Sequence, residues 1–360
     1  MKKQRFAYFI TPHGYGHAAR AAAVMGAIRE QEPDACFEIF TMVPVWFFNM
    51  SIPGGFGYHA LKSDIGLVQT NSMIEDLPET VRQLDELLSF RESLINPLAE
   101  QVRALGCTMV LCDIAPLGIA VAKEAGLPSV LIENFTWDWI YEGYLAEEPG
   151  LAPHITSLNQ IFRTANWHIR TEPACTVDPP ADLTTAVVSR KPRFSRKETR
   201  DRLGISRQAK LVMITMGGIL TEYPFLDQLE NSQDTLFLIP GGSSSYEKRG
   251  SLVLIPHHSD LYHPDLVGAS DAIVGKLGYS TLAEAYAAGV PYAYLPRIRF
   301  REGLPMGAFA QKAMGAIELT EERFFSGSWL DVLPELFSRG RRAPEKENGA
   351  DQAGRFVLGL

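Results

Sequence analysis

No run of about 18 apolar residues, the length that a membrane-spanning helix needs, occurs in the 360-residue sequence. Cysteine is scarce. Cys36, Cys107, Cys112 and Cys175 show no CxxC spacing, which removes the usual thiol-pair metal or redox signature and fits free thiols in a reducing cytoplasm. Positive charge is in deficit: 34 Lys and Arg stand against 42 Asp and Glu, a net −8, which argues against a general nucleic-acid binder. Low-complexity tracts and short-period repeats are missing. Neither GxGxxG nor a GK[ST] phosphate loop occurs at the first strand–helix junction. His257, His258 and His263 have no further ligand at helical or hairpin spacing, so no metal site is expected.

What is present is ordinary globular material. Hydrophobic residues make up 46% and charged residues 21%, which excludes a disordered, collagen-like or coiled-coil chain. The length suggests two domains. Lys2 and Lys3 precede a short apolar run, Phe6–Thr11, which meets Pro12 and His13 without a small-residue cleavage site, so it reads as a first strand and not a signal peptide. Apolar runs then alternate with helical spacing. Strands are predicted at Cys36–Met42, Thr108–Cys112 and Ser129–Ile132, and helices over Gly16–Arg29, Leu117–Ala125 and Pro78–Leu105, the last with a break at Pro97. Residues 190–210 hold nine Lys or Arg against two acids and mark a boundary. Within them Ser195 and Glu198 fit a capping box, read as a solvated linker helix. The strand–turn–helix plan repeats afterwards, with strands at Leu211–Thr215, Leu236–Ile239, Leu252–Ile255, Ala272–Val274 and Tyr292–Leu295 and a helix at Ser280–Ala288. Gly241–Ser245 reads as a surface loop and residues 341–353 as polar and loose. The expected fold class is α/β with parallel sheets.

Three stretches could carry chemistry. Between the first strand and helix lie His13, Gly14, Gly16, His17 and Arg20. Glycine lets the backbone turn tightly, and a helix start offers unpaired amides at the carboxyl edge of a sheet, where ligands of open α/β folds sit. Near that positive dipole end His17 is favoured as a neutral imidazole, which suits a general base; a capping or packing histidine is the alternative. Asp113 ends an apolar strand and could orient a histidine or cap the next helix. In the second half Lys276, Gly278, Tyr279, Ser280 and Thr281 open a helix after a strand, an anion site of amides and hydroxyls. Glu284 lies one turn further along that helix, where it could take vicinal ribose hydroxyls; a capped core helix with one exposed Glu is the alternative. Gly217 and Gly218 form another glycine turn after a strand.

These stretches resemble the GT-B glycosyltransferases, and in particular the glycosyltransferase-like N-terminal half of plant-type L-arabinokinases. The matching segments are FAYFITPHGYGHAAR, CDIAPLGIAVAKEAGLPSVLIENFTWDWIYEGY, SRKETRDRLGI and YHPDLVGASDAIVGKLGYSTLAEA. More distantly, GYSTLAEAYAAGVP is similar to the donor-binding segment of the peptidoglycan GlcNAc transferases, and the first histidine-bearing helix to that of plant UDP-sugar transferases. The sugar-kinase half that follows in the plant proteins has no counterpart in these residues, so kinase activity is not expected of them. The resemblance implies two Rossmann-like domains facing each other across a cleft: residues 1–190 on the acceptor side, 191–340 for the nucleotide sugar, and 341–360 a tail docking back on the first. It implies an inverting, metal-independent transferase without cofactor, using a UDP-sugar as co-substrate. His17 is then the base and Asp113 its orienting acid. The donor would meet Gly14, Gly16, Gly217, Gly218, Lys276, Gly278, Tyr279, Ser280, Thr281 and Glu284, with Glu302 replacing sugar-hydroxyl contacts. His13, Arg20, Asn134, Trp137 and Asp138 would line the pocket of a small-molecule or glycan acceptor, with core packing the alternative for the tryptophans. Arg20 stands where many relatives carry proline or an apolar residue, and a phosphate contact is expected of it. A non-catalytic nucleotide-sugar module and a UDP-sugar epimerase are the alternative readings. The segment 45–50 is expected to form an apolar pocket wall, membrane contact being the less favoured reading.

Overall fold

A computed structural model describes residues 4–71, 74–88, 92–217, 221–342 and 346–360. It divides into two compact units. One comprises residues 1–189, 299–302 and 347–360; the other comprises 190–298 and 303–346.

The first unit is built on seven strands: β1 (Arg5–Ile10), β2 (Cys36–Thr41), β3 (Gly57–Ala60), β6 (Met109–Asp113), β7 (Ser129–Glu133), β8 (Trp167–Thr171) and β9 (Leu183–Thr185). A two-stranded ribbon, β4 (Gln69–Asn71) and β5 (Ile74–Glu75), lies apart from them. Their order is β3-β2-β1-β6-β7-β8-β9, every pairing parallel. Both faces are covered, so the strands read as nearly continuous apolar runs. Chain order reverses between β1 and β6, where Ile10 pairs with Asp113. That switch point is where open α/β sheets bind ligands.

The helix Gly16–Gln31 carries six buried alanines, so it lies close to its neighbours. The helix Gly349–Leu358 packs on it, with Gly354 against the backbone of Ala27 and Ile28. The polar stretch read as loose therefore becomes helical from residue 349. Asn348 caps it, and Ala350, Ala353 and Val357 are buried. Where one long helix was expected there are two, Leu77–Leu87 and Glu92–Ala104. The second runs through Pro97 unbroken, so the interruption falls earlier than the proline suggested. Segment 45–51 is a short helix that buries Phe47 and Phe48 in the core.

The second unit repeats the plan with β10 (Lys210–Thr215), β11 (Thr235–Ser243), β12 (Glu247–Arg249), β13 (Leu252–Pro256), β14 (Ala272–Lys276), β15 (Tyr292–Leu295) and β16 (Ile317–Glu318). The order is β12-β13-β11-β10-β14-β15-β16, parallel except at β12. Here the switch point lies between β10 and β14. Gly275 permits their approach: with φ of +155°, a Cβ there would sit 1.9 Å from the Thr215 carbonyl oxygen. Gly241–Ser243, expected in a loop, extend β11. The capping box of Ser195 and Glu198 is formed, but the helix Arg196–Arg202 is not simply solvated. Arg200 is 1% exposed, donating to Asp271 and to the carbonyls of Ala269 and Ala209. Among the described residues no helix is long and apolar enough to cross a membrane.

Candidate functional site

In the first unit the turn after β1 brings the chain back at Gly14, whose φ of +70° suits glycine. The helix Gly16–Gln31 starts without a side-chain cap, and a Cβ at Gly14 or Gly16 would meet nothing within 4 Å. His17 is 8% exposed. Its Nδ1 lies 3.0 Å from Asp113 Oδ1, at the end of β6 and 96 residues away in sequence. The structure thus brings together the two residues that sequence reasoning paired. Ile114, next in the chain, has φ of 54°, a costly conformation for a β-branched residue and the sole non-glycine case among the described residues.

Arg20 does not reach outward toward phosphate. It is 2% exposed, and its Nε and Nη2 reach the two Asp113 oxygens at 2.8 and 2.7 Å. Its remaining arm donates to Asn134 Oδ1, and Asn134 Nδ2 donates to Glu302 Oε1 at 2.7 Å. Glu302, expected on the donor side, belongs to the first unit. Burial by itself raises the Asp113 carboxyl, but the Arg20 charge, with bonds from His17 and Arg20, outweighs it and holds the group below the usual carboxylate range.

The residues expected to line an acceptor pocket are mostly inside. Trp137 is fully buried, stacked on Tyr141 and edge-on to Phe135, so its ring packs the core, the alternative to an acceptor contact. Asp138 accepts a hydrogen bond from Asn159 at 2.9 Å. His13 sits edge-on to Trp137, and its Nδ1 accepts the Leu67 amide at 3.4 Å. Asp64, which sequence reasoning passed over, is also buried here. It accepts from the Thr11 hydroxyl at 2.7 Å, and burial pushes its carboxyl up to about 7. An isolated aspartate in a loop gives no sequence signal of that burial.

In the second unit Gly217 turns the chain after β10 with φ of +71°, and Lys276 at the end of β14 lies against it, Cε 3.5 Å from the position of a Cβ. Gly218 is outside the described residues. The helix Tyr279–Ala288 begins at Gly278 without a side-chain cap, so Lys276 and the first amides share one strand end. Tyr279 and Thr281 are buried and Ser280 is partly exposed.

Glu284 is 3% exposed, and each of its oxygens already has a partner. Arg190 reaches Oε1 at 2.8–2.9 Å, and His263 Nδ1 lies 2.6 Å from Oε2. Burial raises this carboxyl; Arg190 and His263 outweigh that and lower it. Arg190 also lies over the Tyr262 ring at 5.2 Å. Sequence reasoning missed both partners, having placed Arg190 in a solvated stretch and weighed His263 only as a metal ligand. Arg190 is buried, and His263 opens the helix His263–Ala269. Among the described residues no group of three or more His, Cys, Asp or Glu is arranged for a metal.

No family model matches the sequence. L-Arabinokinase of Arabidopsis thaliana is 26% identical over 337 residues, 92% of this chain and 32% of the relative, so the chain spans about a third of that protein. Among solved structures, CalG4, the calicheamicin glycosyltransferase, is similar with a TM-score of 0.61 at 12% identity, over 100% of this chain and 95% of its own. MurG of Acinetobacter baumannii has a TM-score of 0.56 at 15% identity, over 99% and 100%. A proposed UDP-N-acetylglucosamine 2-epimerase of Listeria monocytogenes has a TM-score of 0.58 at 13% identity, over 99% and 95%. With its two parallel-sheet Rossmann-like units, the chain has the GT-B fold of the glycosyltransferases.

Proposed function

We propose that this protein is an inverting glycosyltransferase that uses a nucleotide-diphospho-sugar, UDP-linked, without a divalent metal. The observation that carries the reading is the contact between His17 and Asp113 at the β1–β6 switch point. Nδ1–H donates to the carboxylate, which leaves Nε2 with its lone pair as the base. As the acceptor hydroxyl oxygen bonds to the anomeric carbon, its proton passes to Nε2. The bond from that carbon to the diphosphate oxygen breaks with its electron pair on the diphosphate. Asp113 stabilises the imidazolium that results. The leaving group's charge is met by Lys276 and the first amides of the helix Tyr279–Ala288, a preorganised positive end in place of a metal ion.

Glu284 takes the ribose hydroxyls in this reading. A carboxylate has about four lone-pair sites; both Arg190 contacts go to Oε1, and His263 takes one site on Oε2. At 3% exposure, however, the diol has to displace His263, whose side chain is 27% exposed.

A thermal-shift series with UDP, UDP-glucose and UDP-N-acetylglucosamine tests the donor class, since a ligand of the native state raises the melting temperature. Turnover is then followed as UDP release with a panel of acceptors. His17→Ala is expected to lower turnover about 10²–10⁴-fold, the span of a general base, while leaving UDP affinity unchanged. Glu284→Gln is expected to do the reverse. Equal loss of UDP binding in both variants, or no shift with any nucleotide sugar, overturns the assignment. The second reading is an epimerase, supported by the fold shared with the Listeria protein. It predicts a new sugar epimer from UDP-N-acetylglucosamine alone. A non-catalytic binding module would show the thermal shift and no turnover with any acceptor.

A further inference from the structure

We infer that Arg20 is a positioning residue for His17, and that Asn134 and Glu302 complete the chain of bonds that fixes it. This rests on the reading of His17 as the base. Arg20 lies three residues after His17, so the two side chains share a helix face over the end of β6. A buried guanidinium is costly unless its donors are met. Here Nε and Nη2 fork onto both Asp113 oxygens, and Nη1 goes to Asn134. The fork fixes the plane of the carboxylate, which leaves Oδ1 aimed at His17 Nδ1.

Two pulls compete at Nδ1. Asp113 Oδ1 at 3.0 Å calls for a proton there; Arg20 Nη2 at 3.3 Å calls for a lone pair. The carboxylate wins because it is nearer and because it carries a full negative charge, which makes the N–H···O bond the stronger of the two. The proton therefore sits on Nδ1, and Nε2 is the basic atom. Without Arg20 the opposing Nη2 contact at 3.3 Å is lost as well, but it is the weaker of the two; Asp113 keeps one partner and is free to turn, and the loss of its aimed Oδ1 outweighs that gain, so the preference weakens.

The far end of the chain is held just as firmly. Each of residues 299–302 is anchored in the first unit. Arg299 reaches Glu147 at 2.7 Å and Glu75 at 3.2 Å. Phe300 is stacked with His13 and edge-on to Phe135 and Trp137. Arg301 donates to the Trp139 carbonyl and to Glu142. Glu302 receives Asn134. So the orientation of the imidazole is linked, by Asp113, Arg20 and Asn134, to a segment nearly 300 residues along the chain.

The test is a long-range proton–nitrogen NMR correlation on the full chain labelled with ¹⁵N-histidine, recorded near neutral pH. The His17 signals are assigned by their loss in His17→Ala. The wild type is expected to show the Nδ1–H tautomer. Arg20→Met is expected to lower the Nδ1–H to Nε2–H ratio about tenfold, the scale of one charge-assisted hydrogen bond. Arg20→Lys, which cannot form the fork, should recover part of it. Asn134→Ala should shift the ratio in the same direction by less, and it serves if Arg20→Met does not fold. An unchanged ratio in the folded variants, or a wild type already in the Nε2–H form, overturns the inference. The outcome is separable from the proposed activity. UDP binding by the same samples, read by thermal shift, reports on donor recognition and is expected to be the same in Arg20→Met.

Discussion

Asp113→Asn puts the buried ionic centre of the first unit to its hardest test. The substitution leaves the shape nearly intact and removes one charge. Arg20, 2% exposed, then keeps its positive charge and loses the carboxylate on which its Nε and Nη2 fork. Breaking a buried ion pair from one side costs about 3–5 kcal/mol, because the surviving charge is left uncompensated. At about 2–4 °C per kcal/mol for a domain of this size, the melting temperature of the first unit should fall by about 6–20 °C. Replacing both partners, as in Arg20→Met with Asp113→Leu, removes the stranded charge and should recover most of that loss. The pH dependence supplies an independent arm. The Asp113 carboxyl is held below its ordinary value in the folded protein, so its contribution is fully present above the unfolded pKa of about 3.9. It is lost as pH falls through the lower folded value, and Asp113→Asn should lack that acid-dependent loss. Chemical unfolding monitored by tryptophan fluorescence across a pH series reads both arms. A loss under about 1 kcal/mol in Asp113→Asn, with no recovery in the double variant, would refute the reasoning.

Two further outcomes follow from single residues. Asp64 holds its proton more tightly folded than unfolded, with its carboxyl pushed up to about 7, so ionising it costs stability as pH rises from the unfolded value toward 7. Asp64→Asn should remove a slope of up to about 1.4 kcal/mol per pH unit between about pH 4 and 7, and urea midpoints that keep that slope would contradict the burial argument. Gly275→Ala would force a Cβ to within 1.9 Å of the Thr215 carbonyl oxygen, backbone against backbone. It should cost the second unit about 3 kcal/mol or more, and a denaturation midpoint close to wild type would show that β10 and β14 can part.

Local patterns carried a good deal of this molecule. Apolar runs alternating with helical spacing yielded the strand–helix plan of both units, because burial on both faces of a parallel sheet leaves its mark residue by residue. The Ser195–Glu198 box was legible because both of its bonds span three residues. Resemblance supplied the pairing of His17 with Asp113, which spacing alone left open. The ion partners were not legible. Arg190 looks solvated in a basic stretch, yet it is spent on Glu284, 94 residues on. Arg20 and Glu302 look like ligand contacts, yet they are joined through Asn134. For Trp137 the sequence left pocket and core open, and burial decides for core.

The sequence by itself therefore determined most of the strands and helices, though not the helix Gly349–Leu358 or the reach of β11 to Ser243, and where glycine must turn the chain, since those depend on neighbours a few residues away. Only the tertiary structure decided which charges are buried and against what. A side chain's partner across 90 or more residues is set by the order of strands in the sheet and by the helices laid over them, and no local period records that order.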